Sequence, residues 1–133
     1  MSKNCVFCKI VEGKIPCYKV YEDDNFMAFL DIKPISKGHV LVISKKHFRW
    51  VEDVEPFEEY WMIAKKITTG IKKALLSDHV NYVTFGEGVP HAHIHIVPRF
   101  TNDNLGEVPD WTRDIKLTEE EMKVISEKIR QNV

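Results

Sequence analysis

The chain has 133 residues, of which 44% are hydrophobic and 29% charged, and its formal net charge is -1. That length suits one domain, residues 1–133, with a core large enough to do without disulfides, and the balanced charge gives no footprint for nucleic acid or an anionic membrane. No apolar run approaches a membrane span and the opening residues lack a signal-peptide core, so a cytoplasmic location is the expectation. Cys5, Cys8 and Cys17 are odd in number and gathered at one end, a pattern that suits a reducing compartment and a metal site better than a disulfide framework.

Residues 5–13 read as a short helical turn closed by Gly13, with Pro16 blocking continuation. Strands follow at about Tyr18 to Tyr21 and Phe26 to Leu30, joined by an acidic hairpin turn, Glu22 to Asn25. Pro34 ends the second strand because proline cannot donate to a ladder. The run from His39 to Ile43 is the most continuous apolar strand in the chain and is expected at the centre of the sheet.

A long helix is expected from about Pro56 to Leu76, its apolar stripe formed by Phe57, Tyr60, Trp61, Ala64, Ile67, Ile71, Ala74 and Leu75. Met62 and Ile63 lie off that stripe, as a subunit contact or as a widening of the core face. Gly70 costs the helix about 1 kcal/mol against alanine, which points to a close backbone approach there. Asn81 to Phe85 is read as a strand, and residues 99–117 as a long polar connection carrying Phe100 and Trp111. Trp111 either reaches the site, from its own or a partner subunit, or packs over the core. The last helix begins at Thr118, where Thr118 and Glu121 form a capping box and Leu117 can pack on Met122.

Between those elements lies His91-Ala92-His93-Ile94-His95-Ile96-Val97, whose alternation reads as a strand. Successive side chains of a strand point to opposite faces, so His91, His93 and His95 share one face and Ala92, Ile94 and Ile96 the other. Neighbouring histidines are then about 6.7 Å apart, close enough for two imidazoles to reach one substrate group. A lone histidine on a strand is usually a satisfied structural residue, but half of the chain's 6 histidines fall within this stretch. Cys5 and Cys8 have the spacing of a zinc half-site, a redox pair being the alternative. His47 and His91 are the best candidates to complete a closed Cys2His2 shell, which leaves no open position for substrate and is therefore structural.

These motifs resemble the histidine-triad (HIT) family, whose signature is His-x-His-x-His followed by two hydrophobic residues. The likeness spans about residues 5–100 and includes Cys5-Val6-Phe7-Cys8-Lys9-Ile10, Ala28-Phe29-Leu30-Asp31-Ile32 and Leu41-Val42-Ile43-Ser44-Lys45-Lys46-His47, with residues 101–133 as an appended loop and helix. The resemblance implies an α+β fold, a meander of five antiparallel strands with one long helix and a C-terminal helix, in a homodimer. It implies structural zinc on Cys5, Cys8, His47 and His91. It makes His93 the nucleophile that attacks the α-phosphorus of a purine nucleotide derivative, and His95 the group that holds phosphate oxygens or assists the leaving group. Phe7, Ile10, Phe29, Asp31, Ile32, Gly88 and Val89 are the nucleotide-binding set, with Asp31 on the ribose hydroxyls.

The resemblance implies hydrolysis or transfer of phosphoramidates or phosphoanhydrides of a purine nucleoside monophosphate. One departure bears on the phosphate: where family members carry Gly-Gln-x-Val-x-His, this chain has Gly86-Glu87-Gly88-Val89-Pro90-His91. An ionised Glu87 beside a phosphate would repel it, so the side chain points away, is protonated, or selects a less charged substrate. Two alternatives stay open from the residues: a metal-dependent phosphoesterase using the histidines as ligands, and a nucleotide-binding regulatory module with little turnover.

Overall fold

The computed structural model describes residues 4–133. Its elements run α1 (Val6–Val11), β1 (Lys19–Glu22), β2 (Phe26–Leu30), β3 (Val40–Ser44), a single 3-10 turn, α2 (Phe57–Leu75), β4 (His79–Val83), β5 (His93–Arg99) and α3 (Glu119–Arg130). The five strands form one antiparallel sheet in the order β1-β2-β3-β5-β4, with β3 in the middle as its apolar run requires. The first three strands wind neighbour to neighbour. The β4–β5 hairpin then folds back so that β5 is inserted against β3 and β4 becomes an edge.

Period-two alternation divides β2, β3 and β5 between two environments. Phe26, Ala28, Leu30, Val40, Val42, Ile94 and Ile96 join Tyr60, Ile63, Ala64, Ile67 and Ile71 of α2 and Met122, Ile125 and Ile129 of α3 in the main core. Met27, Phe29, Leu41 and Ile43 face the other way and pack with Cys5, Phe7, Cys8 and Ile10 of the α1 segment. The sheet is thus buried on both faces, and its second face is where the histidines emerge.

Several expectations move. Ile63 belongs to the core, whereas Met62 is 62% exposed and Phe57, placed on the stripe, is 45% exposed. Gly70 does mark a close approach, since a Cβ there would lie 2.7 Å from Val133 Cγ2 and 3.1 Å from the Asn132 carbonyl. β4 begins two residues before the expected start, because Asp78 N–H donates to the Arg99 carbonyl and sets the register His79↔Arg99. β5 begins at His93, so His91 and Ala92 lie outside the ladder. There, Ala92 N–H donates to the Phe48 carbonyl and His91 N–H to the Val89 carbonyl. The capping box of Thr118 and Glu121 forms as read.

Candidate active site

His93 and His95 project from β5 opposite Ile43 and Leu41 of β3, onto the sheet face that α1 covers. Each is 7% exposed, and their ring centroids are 4.9 Å apart. The His93 ring packs edge-on against Phe7 at 5.2 Å. Its Nδ1 lies 2.7 Å from the His91 carbonyl oxygen. A carbonyl only accepts, so Nδ1 carries the proton and Nε2 keeps its lone pair. The backbone turn that takes His91 out of the ladder therefore fixes the tautomer of His93.

His91 itself is fully buried, with Nε2–H donating to the Ser44 carbonyl at 2.7 Å. Its Nδ1 lone pair faces Cys5 Sγ at 3.3 Å and Cys8 Sγ at 3.5 Å, while His47 Nδ1 is 3.2 Å from Cys8 Sγ. The four donor atoms lie within 4.8 Å of one another. Ligands about 2.0–2.3 Å from a tetrahedral zinc are separated by roughly 3.3–3.8 Å, so this spacing fits one ion. Burial pushes the His91 imidazole down to about 4, and a neutral ring is the form that ligates.

Beside His93 and His95 is a cavity of about 300 Å3, which also includes Phe7, Ile10, Phe29, Asp31, Ile32 and Val89 among its walls. Of the expected nucleotide set only Gly88 is not among the lining residues; it is exposed in the approach loop. Glu87 is exposed as well, consistent with a side chain turned away from the site. Asp31 Oδ1 accepts Lys33 N–H at 2.9 Å in a turn that ends β2, and burial raises its carboxyl above the usual range.

The sequence reading missed His39. It is 1% exposed, its Nδ1 accepts Ile35 N–H at 3.2 Å, and its Nε2 lies 3.0 Å from His95 Nδ1. Asp31 Oδ2 is 3.6 Å from His39 Nε2 and 3.9 Å from His95 Nδ1. These three groups converge as metal ligands would. The Ile35 bond nevertheless commits the His39 Nδ1 lone pair and leaves the proton on Nε2, which makes the arrangement a hydrogen-bonded chain. Burial holds His39 down at about 4 and His95 at about 3, the latter helped by neighbouring His39 and His93. A histidine preceding an apolar strand, beside the Asp31 turn, was the available sequence signal.

Trp111 reaches this group from its own chain, its ring 4.7 Å from His95, 5.7 Å from His39 and 5.4 Å from Phe85. The 99–117 segment that carries it is organised by Asp103. That carboxylate accepts Arg99 Nε at 2.8 Å and Nη2 at 3.2 Å, and the N–H groups of Phe100 and Leu105.

Among the described residues, no helix is long and apolar enough to cross a membrane. A HIT domain family model matches residues 12–102. Adenylylsulfatase HINT3 of Arabidopsis thaliana is 37% identical over 95% of this chain and 68% of its own length. Adenosine 5'-monophosphoramidase hnt1 of Schizosaccharomyces pombe is 35% identical over 98% of both chains. A zinc-bound histidine triad family protein from Mycobacterium smegmatis superposes with a TM-score of 0.76 at 31% identity, covering 97% of this chain and 92% of that one.

Proposed function

The chain belongs to the HIT domain family, and on that premise we propose that it is a nucleotidyl hydrolase or transferase acting through a covalent nucleotidyl-histidine. The observation that carries the reading is the His93 Nδ1–H bond to the His91 carbonyl, which leaves the Nε2 lone pair on a ring that lines an apolar cavity. In the proposed chemistry Nε2 attacks the α-phosphorus of a purine nucleoside monophosphate derivative. Positive charge arising on the ring is stabilised through Nδ1–H and the carbonyl. Water then releases the nucleotide, so one difficult displacement becomes two easier ones.

In this reading Phe7, Ile10, Phe29, Ile32 and Val89 hold the base, Asp31 takes the ribose hydroxyls, and Gly88 contributes backbone near the phosphate. His95 contacts the phosphoryl oxygens. The alternative in which the triad histidines share a catalytic metal finds no support, because His91 faces the thiols and the His95 Nδ1 lone pair is taken by His39, which leaves His93 Nε2 as the single bare imidazole nitrogen the triad offers to the cavity.

Cys5, Cys8, His47 and His91 would hold structural zinc, tying α1 to the sheet beneath the site. We further propose residues 1–133 as one HIT-like domain, since α3 shares its core with α2, and place it in the cytoplasm. Pairing into a homodimer would use the β4 edge and the neighbouring α2 surface, where Tyr82 is 42% and Met62 62% exposed.

His93→Ala tests the mechanism directly. Turnover is expected to fall at least about 10³-fold, with nucleoside monophosphate affinity changed by no more than about threefold and no nucleotide adduct by mass spectrometry. Retained turnover in that variant refutes the nucleophile; tight binding with no adduct on the native protein over a substrate panel favours a regulatory module instead.

A further inference from the structure

Cys5, Cys8, His47 and His91 are not themselves among the residues lining the nucleotide cavity, yet three parts of its wall hang from them. Phe7 lies between the two thiols in sequence and Ile10 just beyond the second, so both ride on the segment that carries Cys5 and Cys8. The Phe7 ring meets His93 edge-on at 5.2 Å, His91 at 5.8 Å and Phe29 at 5.7 Å. His91 supplies the other two ties through its backbone. Its N–H donates to the carbonyl of Val89, a wall residue, at 2.9 Å, and its own carbonyl accepts His93 Nδ1–H at 2.7 Å.

α1 has only 6 residues, and a helix that short does not hold its shape in isolation. Its anchorage is the smaller apolar cluster, through Phe7, Cys8 and Ile10, together with whatever the thiols grip. An ion shared between the thiols of this segment and the imidazoles of His47 and His91 raises the cost of lifting α1 off the sheet. That lifting is the motion that removes Phe7 and Ile10 from the cavity wall and uncovers the His93 ring. A nucleotide seated against Phe7 and Ile10 opposes the same motion. Two ligands that resist one opening favour each other's binding.

Resting on the nucleotide and zinc readings above, we infer that Phe7 and His91 are positioning residues that couple the four-donor centre to the cavity, so that zinc and nucleoside monophosphate bind cooperatively. The centre takes no part in making or breaking bonds. It sets how firmly the base wall is held and how long the His93 Nδ1–H bond to the His91 carbonyl survives. By reciprocity, nucleotide must tighten zinc binding by the factor through which zinc tightens nucleotide binding. A centre that only held the fold together would leave the two affinities of the folded protein independent.

Calorimetry of adenosine 5'-monophosphate binding to the zinc-loaded protein and to protein stripped with a chelator tests the coupling, with circular dichroism reporting that the fold persists. Nucleotide affinity should be about tenfold weaker after stripping, and zinc affinity about tenfold tighter at saturating nucleotide. The His93 Nδ1–H resonance should exchange with solvent about tenfold faster in the stripped protein, a change that a purely structural centre would not produce. His47→Gln alters no cavity wall, and should weaken zinc and nucleotide binding together. Equal nucleotide affinities with and without zinc in folded protein overturn the inference. If stripping unfolds the chain, zinc release from the native protein to a chromogenic chelator decides. Release by local opening of α1 should respond weakly to urea below about 1 M and slow about tenfold at saturating nucleotide. Release with the full urea dependence of unfolding, or unchanged by nucleotide, overturns the coupling. Zinc uptake without nucleotide binding sinks the nucleotide reading and the coupling with it, whereas nucleotide binding by a protein that takes up no zinc sinks the metal reading and the coupling instead.

Discussion

Removing the Asp103 carboxylate should both destabilise the protein and release Trp111 from the histidines. Asp103 and Arg99 have side chains only 15% and 12% exposed, so their pairing is poorly screened by solvent. Asp103→Ala deletes two charge-assisted bonds from Arg99 and two backbone bonds from Phe100 and Leu105, and leaves a mostly buried guanidinium short of partners. Arg99 retains Asn81 Oδ1 and the Gly106 carbonyl, which places the loss near the low end for a broken buried pair, about 3 kcal/mol. For a chain of this length that corresponds to a Tm lower by about 10 °C. Leu105 packs on Ile35 and Val97, so the same change loosens the cover over the site. Thermal unfolding followed by circular dichroism measures the first effect, and the accessibility of Trp111 fluorescence to an uncharged quencher, with Trp50 and Trp61 replaced by Phe, the second. Asp103→Asn keeps one acceptor oxygen and should lose about half as much. A Tm within about 2 °C of the parent for Asp103→Ala, with unchanged quenching, refutes the assignment of Asp103 as the organiser of this segment.

Arg99 also holds the Asp103 carboxyl well below the usual carboxylate range, so this stabilisation is fully present at neutral pH. It should be lost as pH falls below about 3.9 toward the lowered folded value, read as a disproportionate gain in Trp111 quenching in acid. His39 titrates with the opposite sense: its folded pKa is about 4 while an unfolded histidine titrates near 6.5. As pH drops through that window the unfolded chain gains a proton that the folded one refuses, and stability should fall by about 3 kcal/mol. A urea midpoint that is flat between about pH 7 and 4.5 contradicts it. Cys8→Ser should lose stoichiometric zinc and lower the Tm, because one thiolate of the four-donor cluster is gone; equal zinc content by atomic absorption refutes the ligand set. Tyr60→Phe removes a buried hydroxyl that donates to the Val42 carbonyl at 2.8 Å and should cost about 1–2 kcal/mol by denaturant titration.

What was legible in the sequence was whatever periodicity and local chemistry encode. Alternation assigned Ile94 and Ile96 to the helix-covered face and His93 and His95 to the other, because strand geometry leaves no third choice. The Cys5-x-x-Cys8 spacing pointed to a cluster, and His47 and His91 do meet it. Strand order was harder to read, since hairpin folding decides which member of β4–β5 becomes the edge only once β3 is available to pair. His39 was missed for a related reason. Its partner is 56 residues away, and an apolar strand preceded by one histidine looks the same whether or not another imidazole waits across the sheet.

The main departure from the sequence reading explains why three similar side chains can do different things. A regular strand from His91 to His95 would place three equivalent imidazoles in a row, each choosing its own tautomer. Leaving the ladder at His91 removes that equivalence. His91 turns its Nδ1 to the thiols, with Nε2 held by Ser44, and its freed carbonyl takes the proton of His93 Nδ1. His95 stays in register and meets His39, whose own orientation is set by Ile35. Backbone groups of residues 35, 44 and 91 thus fix the tautomers, with the proton on Nε2 in His91 and His95 and on Nδ1 in His93, and the three rings differ in what their remaining nitrogen faces. The chemistry is specified by main-chain hydrogen bonding that no composition or spacing of histidines could encode.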